Sequence, residues 1–131
     1  MTVYLDASAL VKLVAPEAES DAMASFIAEH RSQSTSVVGL VEVRRAAARR
    51  PGVTEARVDD VLVRVVGIAF DPDVAAAAAA TIGPPTLRTL DAIHLASAAA
   101  LGADLEALVT YDRRLAEAAK VLGMPVASPG A

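Results

Sequence analysis

The sequence predicts an α/β fold, a three-layer α/β/α sandwich with a central, mostly parallel sheet, built as one domain over residues 1–131. Three observations carry this. Short strand-like runs alternate with helical patterns from end to end, and parallel neighbours need such crossover connections. Two of the runs, "VYLD" and "LVTYD", end in aspartate, at the strand ends where open sheets of this kind bind ligands. A length of 131 residues suits one core and not two.

The elements follow in order. Residues 3–5 read as a strand and 8–14 as a helix that Pro16 closes. Residues 17–30 mix acids and small residues with Met23, Phe26 and Ile27 on one side, an amphipathic helix. A second strand covers 33–37, residues 38–50 are helical up to Pro51-Gly52, and Thr54 caps a helix running to about residue 65. "GIAF", 67–70, is a third strand. Asp71 as N-cap and Pro72 at the first helical position start a helix that ends before Gly83. Its alanines favour helix and carry no functional weight. Residues 89–101 form a helix ended by Gly102, 107–111 a strand, 113–122 a helix stopped by Gly123, and 124–128 a last short strand.

Composition narrows the function classes. The chain is 54% hydrophobic and 21% charged, the balance of a folded globular protein. Without cysteine it has neither disulfides nor a thiolate metal site. The N-terminus runs almost directly into "VYLD", with no basic leader and apolar signal core, and uncharged stretches are broken well before about twenty apolar residues. A cytoplasmic protein with no membrane association is therefore expected. A net charge of −4 argues against coating nucleic acid through bulk charge, so such a contact would need local basic patches or a bound cation.

Four acids stand out. Asp6 has two readings, a helix N-cap or a site carboxylate, and Ser8 is also able to cap the same helix. Asp112 has the same two readings for the helix beginning "RRLAEAA". Asp91 follows Thr89, a better N-cap, and acids are common in a first helical turn. Glu42 interrupts the apolar "VVGLVEV" and has no capping role; a site function competes with a salt bridge to Arg45 or another arginine. If the fold gathers all four, unit charges about 4 Å apart repel by roughly 1 kcal/mol in water and about 4 kcal/mol at an effective dielectric near 20. Either some protonate or a divalent cation neutralises them. Oxygen-only ligands favour Mg²⁺ or Mn²⁺ over zinc.

In their local contexts, "YLDASALVKL", "SVVGLVEV", "TLDAIHLASA" and "LVTYDRRL" resemble the PIN-domain ribonucleases, and more narrowly the VapC toxins of type II toxin–antitoxin modules. The resemblance runs over nearly the whole chain. It implies a PIN-like sandwich holding Mg²⁺ or Mn²⁺ at the C-terminal strand edge, with Asp6 and Asp91 as main ligands and Asp112 ligating directly or through water. By the same resemblance Glu42 completes the catalytic acids and orients or deprotonates the attacking water, while Ser8 and Thr110 support the cluster through hydrogen bonds. It implies an RNA substrate, a VapB-type antitoxin partner and a toxin homodimer.

Other residues keep two readings. Arg44, Arg45, Arg49 and Arg50, with Arg113 and Arg114, either grip RNA phosphates around the acids or form solvated helix faces. His94, one turn beyond Asp91, is read as packed or hydrogen-bonded within the fold, with the pocket as the alternative. Met23, Phe26 and Ile27 belong either to a partner surface or to the core. Two Phe, two Tyr and no Trp make base stacking a poor expectation. Two rival functions are a phosphotransfer domain with Asp6 as nucleophile and a non-catalytic RNA- or protein-binding module. "DASA" lacks a second aspartate two residues on, as a phosphatase of the haloacid-dehalogenase kind would use.

Overall fold

A computed structural model describes residues 1–131. Five parallel strands form one sheet: β1 (Thr2–Leu5), β2 (Gln33–Ser36), β3 (Val65–Ile68), β4 (Leu105–Val109) and β5 (Val126–Ala127), in the spatial order β3-β2-β1-β4-β5. Seven helices connect them: α1 (Ala7–Val14), α2 (Ser20–Glu29), α3 (Val37–Ala48), α4 (Glu55–Leu62), α5 (Pro72–Ala80), α6 (Thr89–Ala99) and α7 (Arg113–Val121).

Alternation along β1 separates the layers, since successive side chains point to opposite faces. Val3 and Leu5 pack with Leu10 of α1, Met23 of α2, Val43 of α3 and Val58 of α4. Tyr4 points the other way and packs with Leu95 of α6 and Leu115 of α7. A small third cluster joins α5 to α6 through Val74 and Ile93. The expected three-layer sandwich is thus observed, and Met23 belongs to its core, with Phe26 and Ile27 half-buried against it.

The chain moves outward from β1 to β2 and β3, then returns to β4 on the other side of β1. The crevice of such a sheet therefore opens beyond the carboxyl ends of β1 and β4. Leu5 and Val109 are register partners there, and the Asp6 N–H donates to the Val109 carbonyl at 3.2 Å. Asp6 and Thr110 consequently leave the sheet side by side.

Several boundaries differ from the sequence expectation. α4 ends at Leu62, so β3 begins at Val65 and not at Gly67. A 3₁₀ turn at Gly102–Asp104, with Gly102 at φ +54°, delivers the chain straight into β4, which starts at Leu105 and not at Ala107. Of the two candidate N-caps of α1, Asp6 is the one used, and the N-cap of α6 is Arg88 and not Thr89.

Candidate active site

Each acid reaches the crevice from a different element. Asp6 caps α1: its Oδ1 accepts from the Ala9 N–H at 3.0 Å and the Ser8 hydroxyl at 2.6 Å, and its Oδ2 accepts from the Thr110 hydroxyl at 2.5 Å. Ser8 Oγ accepts in turn from the Tyr111 N–H at 2.9 Å, and Thr110 Oγ1 from the Asp112 N–H at 3.0 Å. The hydroxyls thus tie the start of α1 to the end of β4. Asp6 is 4% exposed. Burial pushes its pKa up, against the opposing pull of Ser8, Thr110 and the Ala9 amide.

Asp112 caps α7, its Oδ1 accepting from the Arg114 N–H at 2.9 Å. Asp91, in the first turn of α6, accepts from the Arg88 N–H at 3.0 Å. This is one half of a capping box, because an arginine side chain has no acceptor to return. The Arg88 guanidinium then lies between two acids, with Nε 3.4 Å from Asp91 and Nη2 3.4 Å from Asp112.

Glu42 projects from α3. Its Oε1 lies 2.6 Å from His94 Nε2 on α6, so the alternative reading of Glu42, a salt bridge to Arg45 or another arginine, is not what the structure shows. His94 Nδ1 lies 2.7 Å from the Tyr4 hydroxyl, which also accepts from the Ser36 N–H at 3.1 Å. The expectation that His94 is hydrogen-bonded within the fold holds, and the same ring lines the crevice.

Asp6, Ser8, Glu42, Arg88, Asp91 and Asp112 line one cavity of about 510 Å³. A larger cavity of about 920 Å³ between α1, α2 and α4 holds three arginines and Asp60 as its sole acid, so it lacks a carboxylate cluster. Of the arginines expected near the acids, Arg114 has its Nε 3.7 Å from Asp112, whereas Arg44 is tied to Asp59 at 2.9 Å and Arg50 to Glu17 at 2.8 Å. Arg45, Arg49 and Arg113 do not line the cavity. Sequence reasoning missed Arg88, whose one signal was its place three residues before Asp91.

The donor set fits a hard divalent ion: oxygen ligands only, one of them a deeply buried carboxylate that lacks a cationic partner. Asp6, Asp91 and Asp112 line this cavity without forming a ready-made cluster of three metal ligands. Arg88 supplies the positive charge between Asp91 and Asp112.

Comparison with known proteins shows the family. A family model described as "PIN domain" matches residues 3–121, and the chain belongs to the PIN-domain family. Its relatives within that family are VapC-type ribonucleases of Mycobacterium tuberculosis. It is 42% identical to Ribonuclease VapC47 over 98% of both chains, and 43% identical to Ribonuclease VapC35 over 98% of this chain and 97% of that one. The structure titled "Crystal Structure of FitAcB from Neisseria gonorrhoeae" superposes with a TM-score of 0.69 at 16% identity, covering 97% of each chain, a likeness of fold alone.

Proposed function

We propose that this chain is a Mg²⁺- or Mn²⁺-dependent endoribonuclease, the toxin of a toxin–antitoxin pair, with Asp6, Asp91 and Asp112 holding the ion and Glu42 serving the attacking water. One observation carries the reading: acids 6, 42, 91 and 112, from four separate parts of the chain, line a single cavity at the switch point of a parallel sheet. Membership among VapC-type proteins brings with it an antitoxin of the VapB kind, a homodimer and a cytoplasmic setting as parts of the proposal. No helix is long and apolar enough to cross a membrane.

A bound ion would lower the pKa of a water ligand and neutralise charge growing on the phosphate. The protein's own groups do the rest. Ser8, Thr110 and the Ala9 amide fix both oxygens of Asp6, so its carboxylate needs little reorganisation to bind a cation. Glu42 is anchored through Oε1, leaving Oε2 to orient a water and accept its proton.

RNA cleavage measured with Mg²⁺, with Mn²⁺ and with chelator, for the wild type and for Asp6→Asn and Asp91→Asn, tests the reading. Cleavage is expected only with an ion, and each substitution is expected to reduce it by about a hundredfold or more while RNA binding persists. RNA bound but never cut by the wild type would mark a scaffold. An acyl phosphate trapped on Asp6 with a small phosphodonor would mark phosphotransfer.

A further inference from the structure

We infer that Tyr4 is a positioning residue: its hydroxyl fixes the tautomer of His94, so that the imidazole presents Nε2–H to Glu42 and holds that carboxylate in the acidic cavity. The inference rests on the proposed role of Glu42 for its functional meaning, and on geometry for the rest.

Tyr4 sits in the middle of β1 with no exposed surface, on the face opposite Val3 and Leu5, which places its phenol beneath α6. The Ser36 N–H is a donor only, so at 3.1 Å it takes an acceptor site on the phenolic oxygen and leaves the phenol's proton free. A phenol keeps its proton at neutral pH. The hydroxyls of Thr35 and Ser97 also neighbour the phenol, but neither meets it with hydrogen-bond geometry. The remaining acceptor is His94 Nδ1 at 2.7 Å.

An imidazole that accepts at Nδ1 carries its proton on Nε2. The far end of the ring demands the same state. Glu42 Oε1, an acceptor, stands 2.6 Å from Nε2, and a bare Nε2 would set lone pair against lone pair at that distance. The Glu42 end requires a proton on Nε2, and the Tyr4 end excludes one on Nδ1, because a ring donating there as well would leave the buried phenolic proton without an acceptor. His94 is 3% exposed, so water does not compete for either nitrogen.

The approach of α3 is built for this contact. Gly39 lies one turn before Glu42, and a Cβ there would come within 3.3 Å of His94 Cε1 and 2.4 Å of Thr35 Oγ1. Glycine lets the helix come close enough for Glu42 to reach the ring. Glu42 is a long side chain, 27% exposed, whose free rotamers would scatter its carboxylate. Anchoring one oxygen limits the other to a small arc.

The test combines ¹⁵N NMR of histidine-labelled full-length protein with cleavage kinetics, His30→Asn serving to assign the two imidazoles. Wild-type His94 is expected as the single Nε2–H tautomer, and Tyr4→Phe is expected to mix the tautomers. In Mg²⁺, Tyr4→Phe is expected to lower kcat by about tenfold or more, with KM for RNA unchanged. Glutamine at position 94 places an amide donor near Nε2 and has no tautomers. In a His94→Gln background, Tyr4→Phe should therefore change kcat by less than about twofold. A proton on Nδ1 in the wild type would overturn the inference. So would an unchanged spectrum in Tyr4→Phe, or an equal loss of kcat in both backgrounds. A wild type that cuts no RNA would sink the nuclease reading, while the spectrum, recorded without RNA, still decides the tautomer.

Discussion

Arg88 Nη2 and Asp112 Oδ2 face each other at 3.4 Å across the mouth of the acidic cavity, and the same guanidinium touches Asp91. The protein thus carries its own cation between two of the proposed metal ligands. On that proposal, an entering ion would displace the guanidinium. Arg88 has a side chain 60% exposed, so solvent screening keeps each contact to about 0.2–1 kcal/mol. Arg88→Ala is expected to tighten Mg²⁺ or Mn²⁺ binding by roughly twofold to fivefold, read by isothermal titration. Weaker ion binding in the variant would show that Arg88 does not compete for the site.

Thr110 and Ser8 both support Asp6, but not equally. Thr110 is fully buried, and its hydroxyl also accepts the Asp112 N–H. Thr110→Val keeps the volume, leaves that amide without its partner and takes a donor from Asp6, a loss on the order of 1–3 kcal/mol. Ser8 makes the matching pair of bonds, to Asp6 and from the Tyr111 N–H, but it is half-buried, so water can replace them and Ser8→Ala should cost less. Urea unfolding of the two variants without added metal checks the order, and a larger loss for Ser8→Ala would contradict it.

Gly39 sets two magnitudes against each other. Replacing a helical glycine by alanine ordinarily stabilises by up to about 1 kcal/mol, and Gly39 lies in the first turn of α3. Here the new methyl would lie 2.4 Å from Thr35 Oγ1, and overpacking of that kind costs about 1–3 kcal/mol. Gly39→Ala is expected to be net destabilising. Adding Thr35→Ala removes an oxygen that makes no hydrogen bond, so the double variant should recover the loss. Failure to recover in thermal melts would place the obstruction elsewhere.

What the sequence made legible follows from local chemistry. Asp6 and Asp112 end strands and begin helices, so their place at one sheet edge was readable from alternation and capping alone. Glu42 was readable as a misplaced acid in an apolar helix. Its partner was not, because His94 lies 52 residues away and no local spacing links them. Tyr4 looks like any strand aromatic until the sheet turns its hydroxyl toward α6. Arg88 follows the loop after Gly83, where no periodicity assigns a direction to a side chain. The reading of Arg44 and Arg50 as RNA contacts had the same weakness: Asp59 and Glu17 engage them across the fold.

Away from the cavity, Glu17 links two elements, meeting Arg50 just beyond α3 at 2.8 Å and Lys12 of α1 at 3.2 Å. Its pKa is lowered, first by the hydrogen bond from Arg50 and then by Lys12 against some desolvation. A carboxyl whose folded pKa lies below its unfolded one stabilises the fold fully above the ordinary carboxylate range and loses that contribution as pH falls through the folded value. Lys12, raised chiefly by Glu19, behaves oppositely: its contribution is complete below the ordinary amine range and is lost only in strong alkali. At pH 7 both are present. Glu17→Gln should therefore cost up to about 1 kcal/mol at pH 7, a partly exposed pair being screened by solvent. The difference from wild type should shrink toward zero as pH falls through the lowered folded value of Glu17, below the ordinary carboxylate range, where Glu17 itself protonates. Denaturant unfolding at several pH values measures this, and a gap that stayed constant down to acid pH would show that packing, not charge, makes Glu17 matter.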